Sequence, residues 1–140
     1  MGQQQLLLII LGVIVVGIAV AVGITMFQDN AVSANRDAVV NDLVNLAARA
    51  QQYFRRPTSL GGGQNSFTGL EASATGLKKL VNTNASPWVN ANGSYAIITA
   101  GTDSMVVLEG TGNEIGNDGT AKVKVTMEVR ATRQVTTVNN

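Results

Sequence analysis

The side chains best suited to metal chemistry lie in one short stretch near the C-terminus. Residues 109–119 read EGTGNEIGNDG and include Glu109, Glu114 and Asp118. Calcium takes six to eight oxygen ligands, often from flexible loops of this kind. The spacing matches no EF-hand, however, and ordinary hairpin loops are rich in Asn, Asp and Gly. We therefore predict a glycine-rich hairpin loop here and no metal site.

Composition limits the other catalytic chemistries. The chain contains no Cys and no His, which excludes thiolate nucleophiles, imidazole bases and nearly every zinc site. The acids Asp103, Glu109 and Glu128 are available only singly for acid or base chemistry. The triplet Gly61-Gly62-Gly63 is not followed by the Lys-Ser or Lys-Thr of a phosphate loop. We expect no enzyme activity and no cofactor, and assign little weight to a membrane-anchored enzyme.

Surface charge and modification motifs give weak signals. The net charge is +1 and basic residues alternate with acids, so no nucleic-acid surface is evident. Arg55 and Arg56 fit the end of a helix, where cations interact favourably with the helix dipole. Asn92 begins an Asn-Gly-Ser acceptor for a possible glycan, although we favour a turn at this dipeptide.

The most distinctive feature is an uncharged apolar segment near the N-terminus. Residues 6–27 read LLLIILGVIVVGIAVAVGITMF, and the first charged residue is Asp29. A helix of about 22 residues measures roughly 33 Å, enough to cross a hydrocarbon core of about 30 Å. The segment is too long, and its start too poor in basic residues, for a secretory signal peptide. It predicts a membrane-spanning helix.

Basic residues after the segment would by themselves keep the following domain in the cytoplasm. A processed precursor would resolve this conflict, because a short basic leader would set the topology before its removal. We therefore expect a mature N-terminus at Met1 or, if cleavage follows Gly2, at Gln3.

The helix is expected to continue beyond the membrane segment as an amphipathic helix. Apolar residues recur at spacings of three, four and seven, which places them on one stripe. The helix should end at about Arg55, because the residue before Pro57 avoids helical dihedrals. At roughly 80 Å it is too long for a small domain to bury whole. The residues expected to pack on the domain are Val32, Val39, Leu43, Leu46, Ala50, Tyr53 and Phe54.

The rest of the chain predicts a small α+β head. Residues 57–93 read as a loop region with a short helix at 71–81, and 94–140 as an antiparallel sheet of three or four strands. The expected strands are 95–99, 105–108, 121–130 and 135–138, with Trp88 and Tyr53 as packing anchors. The four expected segments are the apolar helix 1–28, its amphipathic continuation 29–56, the loop region and the sheet.

About the first 57 residues resemble the long N-terminal helix of type IV pilins and pseudopilins. The resemblance lies in the uncharged start, in the apolar run LLLIILGVIVVGIAVAVGI and in its continuation DNAVSANRDAVVNDLVNLAARAQQYFRRP. The resemblance predicts a subunit of an extracellular filament, a helical polymer of identical subunits, and the small, plain head favours the major structural subunit. It also implies a prepilin peptidase, N-methylation, an inner-membrane assembly platform and an assembly ATPase. The unassembled subunit would lie in the inner membrane, in contact with lipid. Adhesion, twitching, DNA uptake and secretion all remain open as roles.

The chain departs from the family pattern at its start. Gln5, or Leu7 if cleavage follows Gly2, stands where most members carry a glutamate, and the usual proline of the apolar segment is missing. Helix flexibility is instead expected at Gly12, Gly17 and Gly23. The expected filament-core residues are Gln5, Leu6, Leu7, Leu8, Ile9, Ile10, Leu11, Val13, Ile14, Val15, Val16, Ile18, Val20 and Val22.

Two other functions fit the same pattern. One is a pseudopilin of a secretion system, and the other is a single-span membrane protein whose sheet domain acts as a binding module.

Overall fold

The structure is a computed structural model and describes residues 2–140. The prediction of an α+β chain with a long N-terminal helix and an antiparallel sheet packed against it is confirmed. The elements in chain order are α1 (Gly2–Arg55), a 3-10 turn (Thr58–Leu60), α2 (Ala74–Val81), β1 (Trp88–Val89), β2 (Gly93–Thr99), β3 (Met105–Ile115), β4 (Lys122–Arg130) and β5 (Gln134–Val138).

Helix α1 is unbroken over 54 residues. It passes through Gly12, Gly17 and Gly23 without interruption, so flexibility at these glycines stays a prediction. At the C-terminal end, the amide of Gly63 donates to the carbonyl of Tyr53 at 2.8 Å, and the amide of Asn65 donates to that of Phe54 at 2.7 Å. The loop after α1 therefore folds back and satisfies carbonyls that a helix end leaves without partners.

The sheet is a five-stranded antiparallel meander in the order β1-β2-β3-β4-β5. Strand β4 shows the expected alternation, with Val123, Val125, Met127 and Val129 buried and the intervening residues partly or fully exposed. One face of the sheet therefore packs on α1 and the other faces solvent.

Three predicted boundaries are wrong. The sheet has five strands because Trp88 and Val89 pair with β2, so it begins before residue 94. Residues 109–115 are not a hairpin loop, because they continue β3, where Thr111 lies opposite Lys124. Helix α2 begins at Ala74 and not at residue 71, because the chain turns at Glu71, whose carbonyl accepts from the amide of Ser73 at 2.8 Å.

The core lies between α1 and the sheet. The predicted packing residues all contact it: Val39, Leu43, Leu46, Ala50 and Tyr53 are buried, and Val32 and Phe54 are partly buried against the core. Tyr95 on β2 is the largest fully buried side chain. The expected anchor Trp88 is only partly buried and packs on Tyr95, with ring centroids 5.3 Å apart.

Two glycines let α1 approach β3 closely. A Cβ atom on Gly110 would lie 2.7 Å from Cγ1 of Val39 and 3.0 Å from Cε1 of Tyr95, and one on Gly112 would overlap the Oδ1 atom of Asn35. Glycine therefore marks the line along which helix and strand are in contact, since any larger side chain would separate them.

Candidate functional site

The candidate site is the N-terminal half of α1, residues 2–28, which we call the apolar half. Every one of its residues is exposed, whereas the docked half, residues 29–55, carries all the buried positions of the helix. All the predicted filament-core residues therefore protrude from the head. Exposure is high even at large side chains, reaching 69% at Val13 and 76% at Phe27.

This exposure is too costly for a segment that remains in water. Leaving a large apolar side chain exposed forfeits roughly 1.5–3 kcal/mol relative to burying it. Summed over residues 6–27, the penalty exceeds the net stability of a typical domain, about 5–15 kcal/mol. The helix is long and apolar enough to span a membrane, and none of its most apolar stretch is buried on the head. The apolar half thus requires an apolar environment outside its own chain.

The apolar half also lacks a polar face. Residues 6–11 are six consecutive leucines and isoleucines, which occupy all sides of a helix of 3.6 residues per turn. Thr25 is the one polar side chain in residues 6–27, and its hydroxyl donates to the carbonyl of Val22 at 2.8 Å. Such a helix is suited to being surrounded completely, by lipid or by other helices.

A groove lies where the apolar half meets the head. We call it the neck groove. It has a volume of about 660 Å³. Its lining residues are Phe27, Gln28, Asp29, Ala31 and Val32 of α1 with Glu114, Ile115, Gly116, Asn117 and Gly119 of the β3–β4 connection.

Asn35 fixes the head to α1 just above this groove. Its side-chain amide donates to the carbonyl of Asn92 at 2.9 Å, and its Oδ1 atom accepts from the amides of Asn113 at 3.0 Å and Glu114 at 3.3 Å. One side chain thereby joins the helix to the β1–β2 turn and to the end of β3.

Asp42 lies two helical turns further along and makes the densest polar contact between α1 and the head. Its Oδ2 atom accepts from Nδ2 of Asn90 and Nδ2 of Asn92, both at 2.8 Å, and from the hydroxyl of Tyr95 at 2.6 Å. Burial opposes ionisation of Asp42, but the bonds from Asn92, Tyr95 and Asn90 outweigh it and lower the pKa of the carboxyl. Burial and the adjacent carboxylate raise the pKa of Tyr95.

This contact also bears on Asn92. The side-chain nitrogen to which a glycan would be attached is occupied by its bond to Asp42. The amide of Asn92 also donates to Oδ1 of Asn90 at 2.9 Å, which tightens the turn. The geometry favours the structural role of Asn92. Asp42 lies 48–53 residues from its three partners, so the sequence holds no local signal for this contact.

The acids singled out for chemistry do not converge. Glu109 pairs with Lys124 at 3.4 Å on the outer face of the sheet, away from the turn. Oδ1 of Asp118 accepts from the amides of Thr120 and Ala121, both at 2.9 Å. These backbone bonds and one to Asn140 lower the pKa of Asp118 to about 2. Within residues 2–140 no three acidic side chains form a group that would hold a metal ion.

Comparison of the chain with protein-family profiles, curated proteins and solved structures finds no match. The features of the chain that indicate a function are the exposed apolar half and the attachment of the head to the docked half.

We expect Asp42→Asn to destabilise the head by about 1.5–2 kcal/mol at pH 7, because hydrogen bonds to a charged group contribute about 1.5–3 kcal/mol. The folded pKa of Asp42 lies below its unfolded value, so its contribution is present above the unfolded pKa, about 3.9, and is lost as pH falls through the folded pKa. The difference in free energy of unfolding between wild type and Asp42→Asn should therefore become smaller below about pH 4.

The measurement is urea unfolding of the full chain in detergent micelles at several pH values, followed by the fluorescence of Trp88, the single tryptophan. Asp37→Asn is a suitable control, because Asp37 is exposed on the same helix. If the stability difference for Asp42→Asn stays constant between pH 7 and pH 3, the ionised carboxylate of Asp42 does not stabilise the head.

Proposed function

We propose that this protein is the structural subunit of an extracellular, pilus-like helical filament, in which the apolar half of α1 packs against the same half of other subunits. The observation that carries the proposal is the division of one unbroken 54-residue helix. Its second half is held in the head, and its first half is exposed throughout and apolar on every side over residues 6–27.

The continuity of α1 from the apolar half into the head distinguishes this chain from a soluble protein with a buried core helix. The core helix of a soluble protein would be buried, but none of the most apolar stretch of α1 is buried on the head. The apolar half continues the docked half without a break and extends the head by roughly 40 Å at 1.5 Å per residue. A continuous apolar helix on a folded head is suited to parallel stacking of many copies.

The same surface suits both stages of assembly. In the bilayer, lipid tails surround the apolar half, and in a filament other apolar helices take their place, so the segment stays out of water throughout. The small residues Gly12, Gly17, Ala19, Ala21 and Gly23 allow backbones to approach closely. The resemblance to type IV pilins supports the same assignment and implies the peptidase, platform and ATPase as partners.

The start of the apolar half sets one condition on the assembly. Gln5 is exposed and neutral, so it offers a hydrogen bond and no charge to a neighbouring terminal amine. Met1 lies outside the residues that the structure describes. The intact mass and N-terminal sequence of the exported protein would establish whether the mature chain begins at Met1 or Gln3 and whether it is methylated.

A second candidate function is a membrane-anchored binding module. It is favoured by a groove of about 640 Å³ on the head, between α1, α2 and β1. Leu46, Val81 and Trp88 give this groove an apolar part, and Asp42 and Arg49 give it charge. The anchor would then need only lipid, and no contact between subunits.

Mechanical shearing of intact cells distinguishes the two functions. We expect the chain in the sheared fraction, in thin filaments that electron microscopy with a specific antibody labels along their length. Deletion of the gene and its re-expression serve as controls. Recovery of the chain only in the membrane fraction, with no labelled filament, would favour the anchored module.

A further inference from the structure

The charges of the head are divided between its two ends. The end next to the neck groove, where Lys122 pairs with Ile115, carries four acidic residues and two basic ones. The opposite end, which we call the distal end, lies where α1 ends and Arg130 pairs with Met105, and it carries seven basic residues and three acidic ones. The neck set is Asp29, Asp37, Glu114 and Asp118 with Arg36 and Lys122. The distal set is Arg49, Arg55, Arg56, Lys78, Lys79, Arg130 and Arg133 with Glu71, Asp103 and Glu128. The net charge of +1 conceals this polarity.

The distal end and the neck groove each also expose large apolar side chains. Leu60 protrudes from the 3-10 turn that follows Arg55 and Arg56, with 69% of its surface exposed. In the neck groove, Phe27 and Ile115 are exposed by 76% and 51%. Each end therefore presents an apolar centre with charges around it, and the charges have opposite sign. This is the usual anatomy of a protein interface.

Four of the charged side chains, Asp29 and Glu114 at the neck and Arg55 and Arg56 at the distal end, take part in no ion pair of the described residues. Within the described residues, the ion pairs are Lys124 with Glu109 and Arg130 with Glu128. The neck groove is likewise open beside the helix and holds no segment of the head.

The lengths of the two halves of α1 give a compatible geometry. Each half of the 54-residue helix measures roughly 40 Å. A second copy displaced by one half-length along the helix axis brings its distal end to the neck groove of the first. The apolar half of the first copy then runs alongside the docked half of the second.

We propose that copies of this chain contact one another head to tail, with the distal end of one copy, at Arg55, Arg56 and Leu60, seated in the neck groove of the next. The proposal rests on the proposed filament and names a contact within it. Opposite charges steer the approach and fix the register, while Leu60 enters between Phe27 and Ile115.

Chemical cross-linking tests this contact in assembled filaments. The chain has no cysteine, so Leu60→Cys combined with Glu114→Cys introduces the only two thiols. A short bis-maleimide linker should then join successive copies and give a ladder of multimers on a denaturing gel. Each single variant lacks one partner and should give no ladder. As a matched control, Leu60→Cys with Val135→Cys places the second thiol on exposed β5 opposite Glu128, toward the distal end, and should give none either.

The outcomes separate this inference from the filament itself. A ladder from the Leu60 and Glu114 pair alone supports the head-to-tail contact. Intact filaments of that double variant without a ladder would overturn the contact and leave the filament proposal standing. Absence of filaments from the wild-type chain would overturn both.

Charge exchange gives a second measurement. Glu114→Lys or Arg56→Glu alone should reduce the yield of sheared filament by roughly threefold to tenfold, and the combined variant should restore most of it. The loss should grow smaller at high salt, because exposed charges are screened. If the combined variant instead loses as much filament yield as the two single losses together, Glu114 and Arg56 do not pair between copies.

Discussion

Val16→Arg is expected to leave membrane insertion intact and to abolish filament assembly. Val16 lies near the middle of residues 6–27, so an arginine there would face either the bilayer centre or the filament core. On a biological insertion scale, arginine at the helix centre costs about 2.5–3.5 kcal/mol, while each leucine, isoleucine, phenylalanine or valine contributes about −0.3 to −0.6 kcal/mol. The remaining apolar residues outweigh one arginine, so the helix should still insert.

The filament responds differently to the same charge. Every subunit would bring an arginine into a packed bundle of apolar helices, where a buried charge without a partner costs about 3–5 kcal/mol. The corresponding fall in assembly is at least about a hundredfold per subunit added. The measurement is the yield of sheared filament together with the amount of chain that resists carbonate extraction from membranes.

Two controls accompany Val16→Arg. Val16→Leu retains the apolar surface and should assemble. Val135→Arg places the same charge on exposed β5, where 42% of the valine surface is already accessible, and should also assemble. Normal filaments from Val16→Arg would show that the apolar half does not form a dry filament core.

Gly110→Val is expected to destabilise the attachment of the head to α1 by about 3 kcal/mol. The new side chain would begin 2.7 Å from Val39 and 3.0 Å from the ring of Tyr95, both fully buried. Overpacking of a tight core typically costs about 1–3 kcal/mol, and occasionally more, because neighbours must leave their preferred rotamers. Valine adds one β and two γ carbons at the closest approach of helix and strand. We therefore expect a destabilisation at the upper end of this range.

Urea unfolding of the full chain in detergent micelles, followed by Trp88 fluorescence, measures the effect. Thr111→Val is the matched control, since it makes the adjacent residue of β3 apolar on the opposite face of the sheet and should change stability by no more than about 0.5 kcal/mol. Equal stabilities for the two variants would mean that α1 does not pack on β3 at Gly110.

The helix was predictable because its signals are local. Residues 6–27 form one continuous apolar run, the stripe from Val39 to Tyr53 has helical spacing, and Pro57 ends the pattern. The structure shows one helix with the expected end at Arg55. Strand β4 was predictable for the same reason, because its alternation from Val123 to Val129 is a local pattern of period two.

The glycine-rich part of β3 was mistaken for a loop because glycine has two different uses. In a sequence, Gly110 and Gly112 indicate conformational freedom, which is typical of turns. In the fold they lie in a paired strand, and the absence of a side chain lets α1 approach. This use depends on a helix some 70 residues away, so nothing nearby in the sequence indicates it.

The polar attachment of the head was missed for a related reason. Asp42 appears as one more charge on the solvated face of an amphipathic helix, yet in the fold Asn90, Asn92 and Tyr95 donate hydrogen bonds to its carboxylate. The neck groove likewise forms only when Ile115 is brought beside Phe27. Both features come from tertiary packing, which periodicity does not encode.

Helical reconstruction of the sheared material by electron cryomicroscopy would show which residues form the filament core. We expect a filament with a core of densely packed helices formed by residues 2–28 of many copies, and with the sheet domains on the outside. A filament whose core is made of another chain, or sheared material without this protein, would contradict it.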